Sequence, residues 1–108
     1  MIFKDKTVIV TGGSEGVGGA AARLFADAGA NLMLVARSKK NLEAIAEELR
    51  GKTRVEIFAM DVSDADACVD LFKKTAFEFG RIDVLPQTFF HFSITYESFR
   101  RFMPPFQD

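Results

Sequence analysis

Thr7-Val8-Ile9-Val10 runs without a polar break into Thr11-Gly12-Gly13-Ser14-Glu15-Gly16-Val17-Gly18, and this junction constrains the fold more than any other stretch of the chain. A short β-branched run suits a strand buried on both faces, as in a parallel sheet covered by helices. Beyond the glycines, Ala20 to Ala28 is rich in helix formers, with Val17, Ala21, Leu24, Phe25 and Ala28 at helical spacing and therefore expected on the buried face. The glycines thus sit at a strand-to-helix turn. Gly12 is free to take backbone angles that a Cβ disfavours, while Gly16 and Gly18 leave room for a phosphate and for close helix–strand packing. The free amides and positive dipole end of a helix placed there face an anion.

The same alternation continues to residue 85. Asn31 to Ala36 reads as a second strand, introduced by Gly29 at the end of the first helix. Ser38 is the expected N-cap of a helix that carries Leu42, Ile45, Ala46 and Leu49 on one face and stops at Gly51. Arg54 to Met60 reads as a third strand. Ser63 and Asp66 have the spacing of a capping box for a helix containing Ala67, Cys68, Leu71, Phe72, Thr75, Ala76 and Phe79, ended by Gly80. Ile82 to Leu85 begins a fourth strand. Right-handed crossovers between parallel strands give an α/β, Rossmann-like sheet of order 3-2-1-4 with flanking helices, a truncated form of the doubly wound fold.

Thr11 to Gly18 fits T-G-x-x-x-G-x-G and resembles the short-chain dehydrogenase/reductase family. The likeness extends through Val35-Ala36-Arg37, Asp61-Val62 and Phe79-Gly80-Arg81-Ile82-Asp83-Val84-Leu85, so it spans residues 1–85. It implies a nicotinamide dinucleotide as cofactor and partner, and hydride transfer between that cofactor and a carbonyl or alcohol. Gly12, Gly16, Val17 and Gly18 belong to its phosphate loop, with Ser14 and Glu15 beside the adenosine half and Thr11 bracing the turn. NAD-preferring members tend to carry Asp where this chain has Ala36. Arg37 follows, a residue able to pair with a 2′-phosphate, with Ser38 adding a donor. NADP is therefore expected over NAD, although Glu15 stands where some NADP-preferring members carry a base. Asp61 matches the acceptor of the adenine amino group, and Val62 the residue packed on the ring.

At Pro86 the text changes. All three prolines, half of the twelve phenylalanines, His91 and Tyr96 fall within residues 86–108, which contain no Gly and no Ala. Pro86-Gln87-Thr88 stands where the family continues into Asn-Asn-Ala-Gly. Two units follow, a nucleotide-binding half-Rossmann domain over 1–85 and a discordant tail over 86–108, whose origin is read as a frameshift, an alternative exon or a premature stop. The tail supplies neither the catalytic serine nor the Tyr-x-x-x-Lys of the family. Tyr96 precedes Arg100 at that spacing, but a guanidinium is too basic to relay a proton. The expectation is an NADP(H)-binding fragment without dehydrogenase activity. Its alternatives are a non-enzymatic nucleotide- or partner-binding module and an unstable product of a disrupted gene.

The remaining features narrow the class by exclusion. A net charge of −1 gives no reason to expect nucleic acid or an anionic membrane. No apolar run approaches the ~20 residues of a membrane helix, and Lys4-Asp5-Lys6 near the N-terminus is unlike a signal peptide, so the cytoplasm is the expected location. The single Cys68 reads as a small buried hydrophobe, and His91 has no ligand-spaced partners for a metal. Phe90, Phe92, Ile94 and Tyr96 alternate with polar residues like a half-buried strand, which makes an uncovered sheet edge a route to self-association.

Overall fold

The structure, a computed structural model, describes residues 3–13, 16–61 and 63–83. Strands and helices alternate along it: β1 (Thr7–Thr11), α1 (Gly16–Asp27), β2 (Asn31–Ala36), α2 (Lys39–Leu49), β3 (Val55–Ala59) and α3 (Ala65–Phe79). The strands form one parallel sheet with β2 in the middle, in register from Thr7 opposite Asn31 to Thr11 opposite Val35, and from Leu32 opposite Val55 to Ala36 opposite Ala59. This is the 3-2-1 part of the expected order. After α3 the chain returns to the free side of β1, where the Asp83 amide donates to the Thr7 carbonyl at 2.9 Å. That is the place of the expected fourth strand. Its Val84 and Leu85, and the alternating segment 90–96, lie outside the described residues.

The unbroken apolar text of β1 and β2 is explained by two buried faces. Val8, Val10, Leu32 and Leu34 point to one side, against Ala22 and Ala26 of α1 and Leu42, Ile45, Ala46 and Leu49 of α2. Ile9, Met33 and Val35, one residue out of phase, point to the other side and meet Cys68, Leu71, Phe72 and Ala76 of α3. Cys68 is fully buried there, as expected, and burial followed by the nearby Asp64 carboxylate pushes its thiol pKa up. β3 is the outer strand and only half covered. The Lys74 ammonium donates to the Ile57 carbonyl at 3.1 Å and lies 5.7 Å from the Phe58 ring centroid, so a charge guards this edge against further pairing.

Two local expectations are corrected. α1 begins at Gly16, within the glycine motif, and it buries Gly19, Ala22 and Ala26. Val17 and Leu24, predicted on the apolar face, are 89% and 71% exposed, while Ala21 and Phe25 pack at the margin of the core. Small residues let the helix axis lie close to the sheet, and valine and leucine on that face would hold it off. The second correction concerns the start of α3. Asp64, not Ser63, is the N-cap, its Oδ1 accepting from the Ala67 amide at 3.0 Å. A carboxylate is the stronger acceptor beside a helix N-terminus, and the Ser63 hydroxyl already donates to Asp61 Oδ1 at 2.8 Å. The other ends match: Ser38 Oγ accepts from the Asn41 amide at 3.2 Å, and Gly80, with φ +76°, closes α3.

Asp83 fastens the returning chain to β1. Its Oδ2 accepts from the buried Thr7 amide at 2.8 Å, and Arg81 grips both oxygens at 2.8 and 2.7 Å. Burial opposes the charge on Asp83, but the Arg81 hydrogen bonds, the Thr7 amide and the charges of Arg81 and Lys6 outweigh it, so the carboxyl titrates below its ordinary range. A carboxyl whose folded pKa is depressed stabilises the fold above its unfolded pKa, and that contribution is lost as pH falls through the folded value. Asp83→Asn is therefore expected to cost about 1 kcal/mol at pH 7, the difference between a charged and a neutral hydrogen-bond partner. Urea midpoints of the two proteins should converge once the pH is well below about 4. A gap that stays constant into acid would contradict this account.

Candidate nucleotide-binding site

Because the strands are parallel and in register, their C-terminal ends lie side by side. The glycine turn follows β1, Arg37 follows β2, and Met60-Asp61 follows β3. On one side of β1 the chain proceeds to β2, and on the other it returns at Asp83. Ligands of open α/β sheets bind where the connections diverge in this way.

The glycines of the turn do different jobs. Gly12 and Gly16 have φ of +64° and +59°, and a Cβ on either would meet no atom within 4 Å. Backbone angle, not crowding, requires glycine at both, and their side-chain-free surface exposes peptide edges of the kind that cradle phosphates. Gly18 is the reverse case. A Cβ there would stand 2.0 Å from the Gly12 carbonyl oxygen and 2.9 Å from that of Thr11, so the first turn of α1 rests directly on the loop. Gly13, at a variable position of the T-G-x-x-x-G-x-G pattern, is held from both sides. Its amide donates to the Val35 carbonyl at 3.2 Å, and a Cβ would lie 3.2 Å from the Val10 oxygen and 3.3 Å from Leu34 Cδ2. Two successive glycines at a strand end were the available signal. Val17 stands exposed in the first turn of α1, beside the loop.

At the far end of the site, Arg37 Nη2 donates to Asp61 Oδ2 at 3.0 Å, joining two residues singled out separately in the sequence. Their side chains are 80% and 42% exposed. The other Asp61 oxygen, Oδ1, accepts from both the amide and the hydroxyl of Ser63, at 2.9 and 2.8 Å. The Ser63 amide first, then its hydroxyl, hold the Asp61 carboxyl below its ordinary pKa. Desolvation opposes them, and the charge and hydrogen bond of Arg37 add to the lowering. Asp61 is therefore an anion at neutral pH. Ser38 Oγ accepts the Asn41 amide, which leaves its hydroxyl hydrogen available to a further acceptor. Ser14, Glu15 and Val62 lie outside the described residues. Among the described residues there is no cluster of three metal-ligating side chains, and no helix is long and apolar enough to cross a membrane.

These features fit a dinucleotide carrying phosphates at both ends of the strand edge: a left-handed glycine turn before a helix N-terminus, and an exposed guanidinium beyond the neighbouring strand. Similarity to known proteins points the same way. The family model for short chain dehydrogenase matches residues 6–88. An uncharacterized oxidoreductase of Mycobacterium bovis is 39% identical over 87 residues, covering 76% of this chain and 25% of that protein. A metagenomic short-chain oxidoreductase, solved in complex with NADP, superposes with a TM-score of 0.74 at 32% identity, over 79% of this chain and 39% of its own. L-sorbose reductase from Gluconobacter frateurii, solved with NADPH and L-sorbose, gives 0.72 at 35% identity, over 78% of this chain and 33% of its own. The chain thus spans about a quarter of the length of the first curated relatives it matches. β1, its glycine turn and the ends of β2 and β3 all fall inside the matched stretch, and the chain belongs to the short-chain dehydrogenase family.

Proposed function

We propose that this chain binds NADP(H) across the C-terminal ends of β1, β2 and β3, as the nucleotide-holding part of an oxidoreductase acting on a carbonyl or alcohol. The observation that carries the reading is the placement of Arg37. It follows Ala36 at the end of β2, where an acidic residue would favour the ribose hydroxyls of NAD, and its guanidinium is exposed beyond the glycine turn. The NADP and NADPH complexes of two similar structures support the same choice.

In this reading Gly12 and Gly16 bring the backbone against the pyrophosphate, and Gly18 lets α1 sit close enough to direct its N-terminus there. Ser14, Glu15 and Val17 border the ligand. Arg37 and the Ser38 hydroxyl hold the 2′-phosphate. Asp61 accepts from the adenine amino group, and Val62 covers the ring. Bound NADP(H) supplies the hydride chemistry, while this chain's residues bind and orient it. Residues 1–85 form the binding unit and 86–108 a separate tail. The 108 residues hold one tyrosine, Tyr96, with Arg100 rather than lysine four positions on, and a polypeptide of these residues by itself binds cofactor without turning it over.

A thermal melt tests the binding. NADP at a hundred times its dissociation constant should stabilise the chain by about 2.7 kcal/mol, a rise in melting temperature of about 10 °C or more for a domain of this size. A cooperatively folded chain whose melt is unmoved by NADP would refute the proposal.

A further inference from the structure

The Arg37–Asp61 pair joins two residues that the proposed site assigns to different parts of one ligand, a 2′-phosphate and an adenine. Ser63 takes Asp61 Oδ1 with two hydrogen bonds, which fixes the carboxylate and leaves Oδ2 for the guanidinium. Among the described residues, Asp61 is the acceptor that Arg37 reaches. A 2′-phosphate binds a guanidinium best through two parallel hydrogen bonds, and one of the donors of Arg37 is already committed to a competing anion. An adenosine ligand without that phosphate meets no such competition, since the pair remains intact and no charge is left without a partner.

Resting on the nucleotide reading, we infer that Asp61 is a positioning residue that sets the preference of this site between 2′-phosphorylated and unphosphorylated adenosine ligands, by acting as the counter-ion that the phosphate must displace from Arg37. Asp61 thereby narrows the preference that Arg37 creates. The pair is solvent-exposed, so its hold is weak, and a phosphate can displace it at modest cost.

Calorimetric titration of the full chain with adenosine 2′,5′-bisphosphate and with AMP isolates the 2′-phosphate. Asp61→Asn should raise the ratio of the two affinities by about two- to fivefold, the scale of an exposed ion pair. Any loss of an adenine contact falls on both ligands and cancels in the ratio. Asp61→Ser, also uncharged, should move it in the same direction. In an Arg37→Ala background Asp61→Asn should leave the ratio unchanged, because the effect runs through the guanidinium. A ratio that is unmoved or lowered in both single variants would overturn the inference, as would an equal rise with and without Arg37, which would mean simple repulsion of phosphate by carboxylate. Failure of the unaltered chain to bind either ligand would instead refute the nucleotide site itself.

Discussion

Gly18→Ala is expected to lower the melting temperature by more than about 10 °C and to abolish NADP binding. The added Cβ would lie 2.0 Å from the Gly12 oxygen, 2.4 Å from the Gly12 carbonyl carbon and 2.9 Å from the Thr11 oxygen. All three are backbone atoms, so no side-chain rotation relieves the overlap. Either α1 moves off β1 or the turn is remade. Overpacking usually costs about 1–3 kcal/mol, and a clash with main chain belongs at the upper end of that range. Such a loss is a large share of the stability of a domain this small. Two companion substitutions separate crowding from backbone strain. Gly12→Ala meets no atom within 4 Å but has φ +64°, so it should cost about 1–2 kcal/mol through conformation alone. Gly51→Ala meets no atom and should be near neutral. Thermal melts of the three variants that came out in any other order would contradict the packing described for the turn.

Arg37→Ala is expected to weaken NADP binding about ten- to a hundredfold while leaving NAD binding within about twofold, as read by calorimetry. The two cofactors differ at the 2′ position, and the proposed site sets Arg37, just after β2, against it. Arg37→Lys should recover part of the loss, because an ammonium keeps the charge but lacks the fork that binds two phosphate oxygens. Equal losses for both cofactors would show that Arg37 supports the site as a whole and does not read the phosphate.

Much of the architecture was legible because it rests on local rules. Runs such as Leu32-Met33-Leu34-Val35 have no solvent face, which marks strands of a sheet covered on both sides. Ser38 and Gly80 sit at helix ends with the chemistry those ends require. The misreadings arose where tertiary packing overrode composition. Val17 and Leu24 are larger than Gly19, Ala22 and Ala26, yet the helix turns the small residues inward because proximity to the sheet matters more than side-chain area. Ser63 had acids on both sides as rivals or partners, and helical spacing alone did not distinguish them. In the candidate site, Arg37 and Asp61 were each visible from their positions after a strand, but their contact depends on the register of β2 against β3. Gly13 and Asp83 were missed for the same reason. Their partners, the Val35 carbonyl and the Thr7 amide, are distant in sequence and adjacent only in the folded sheet.

The small-residue face of α1 ties affinity to core volume. Ala26 lies eight residues beyond Gly18, about 12 Å along the helix from the proposed phosphate loop. A bulkier residue at Ala22 or Ala26 would tilt α1 as a rigid rod, and its N-terminal turn would swing away from the loop that it rests on. In the proposed site the strength of the anion's grip therefore depends on what fills the interior under α1 as well as on the atoms that touch the ligand.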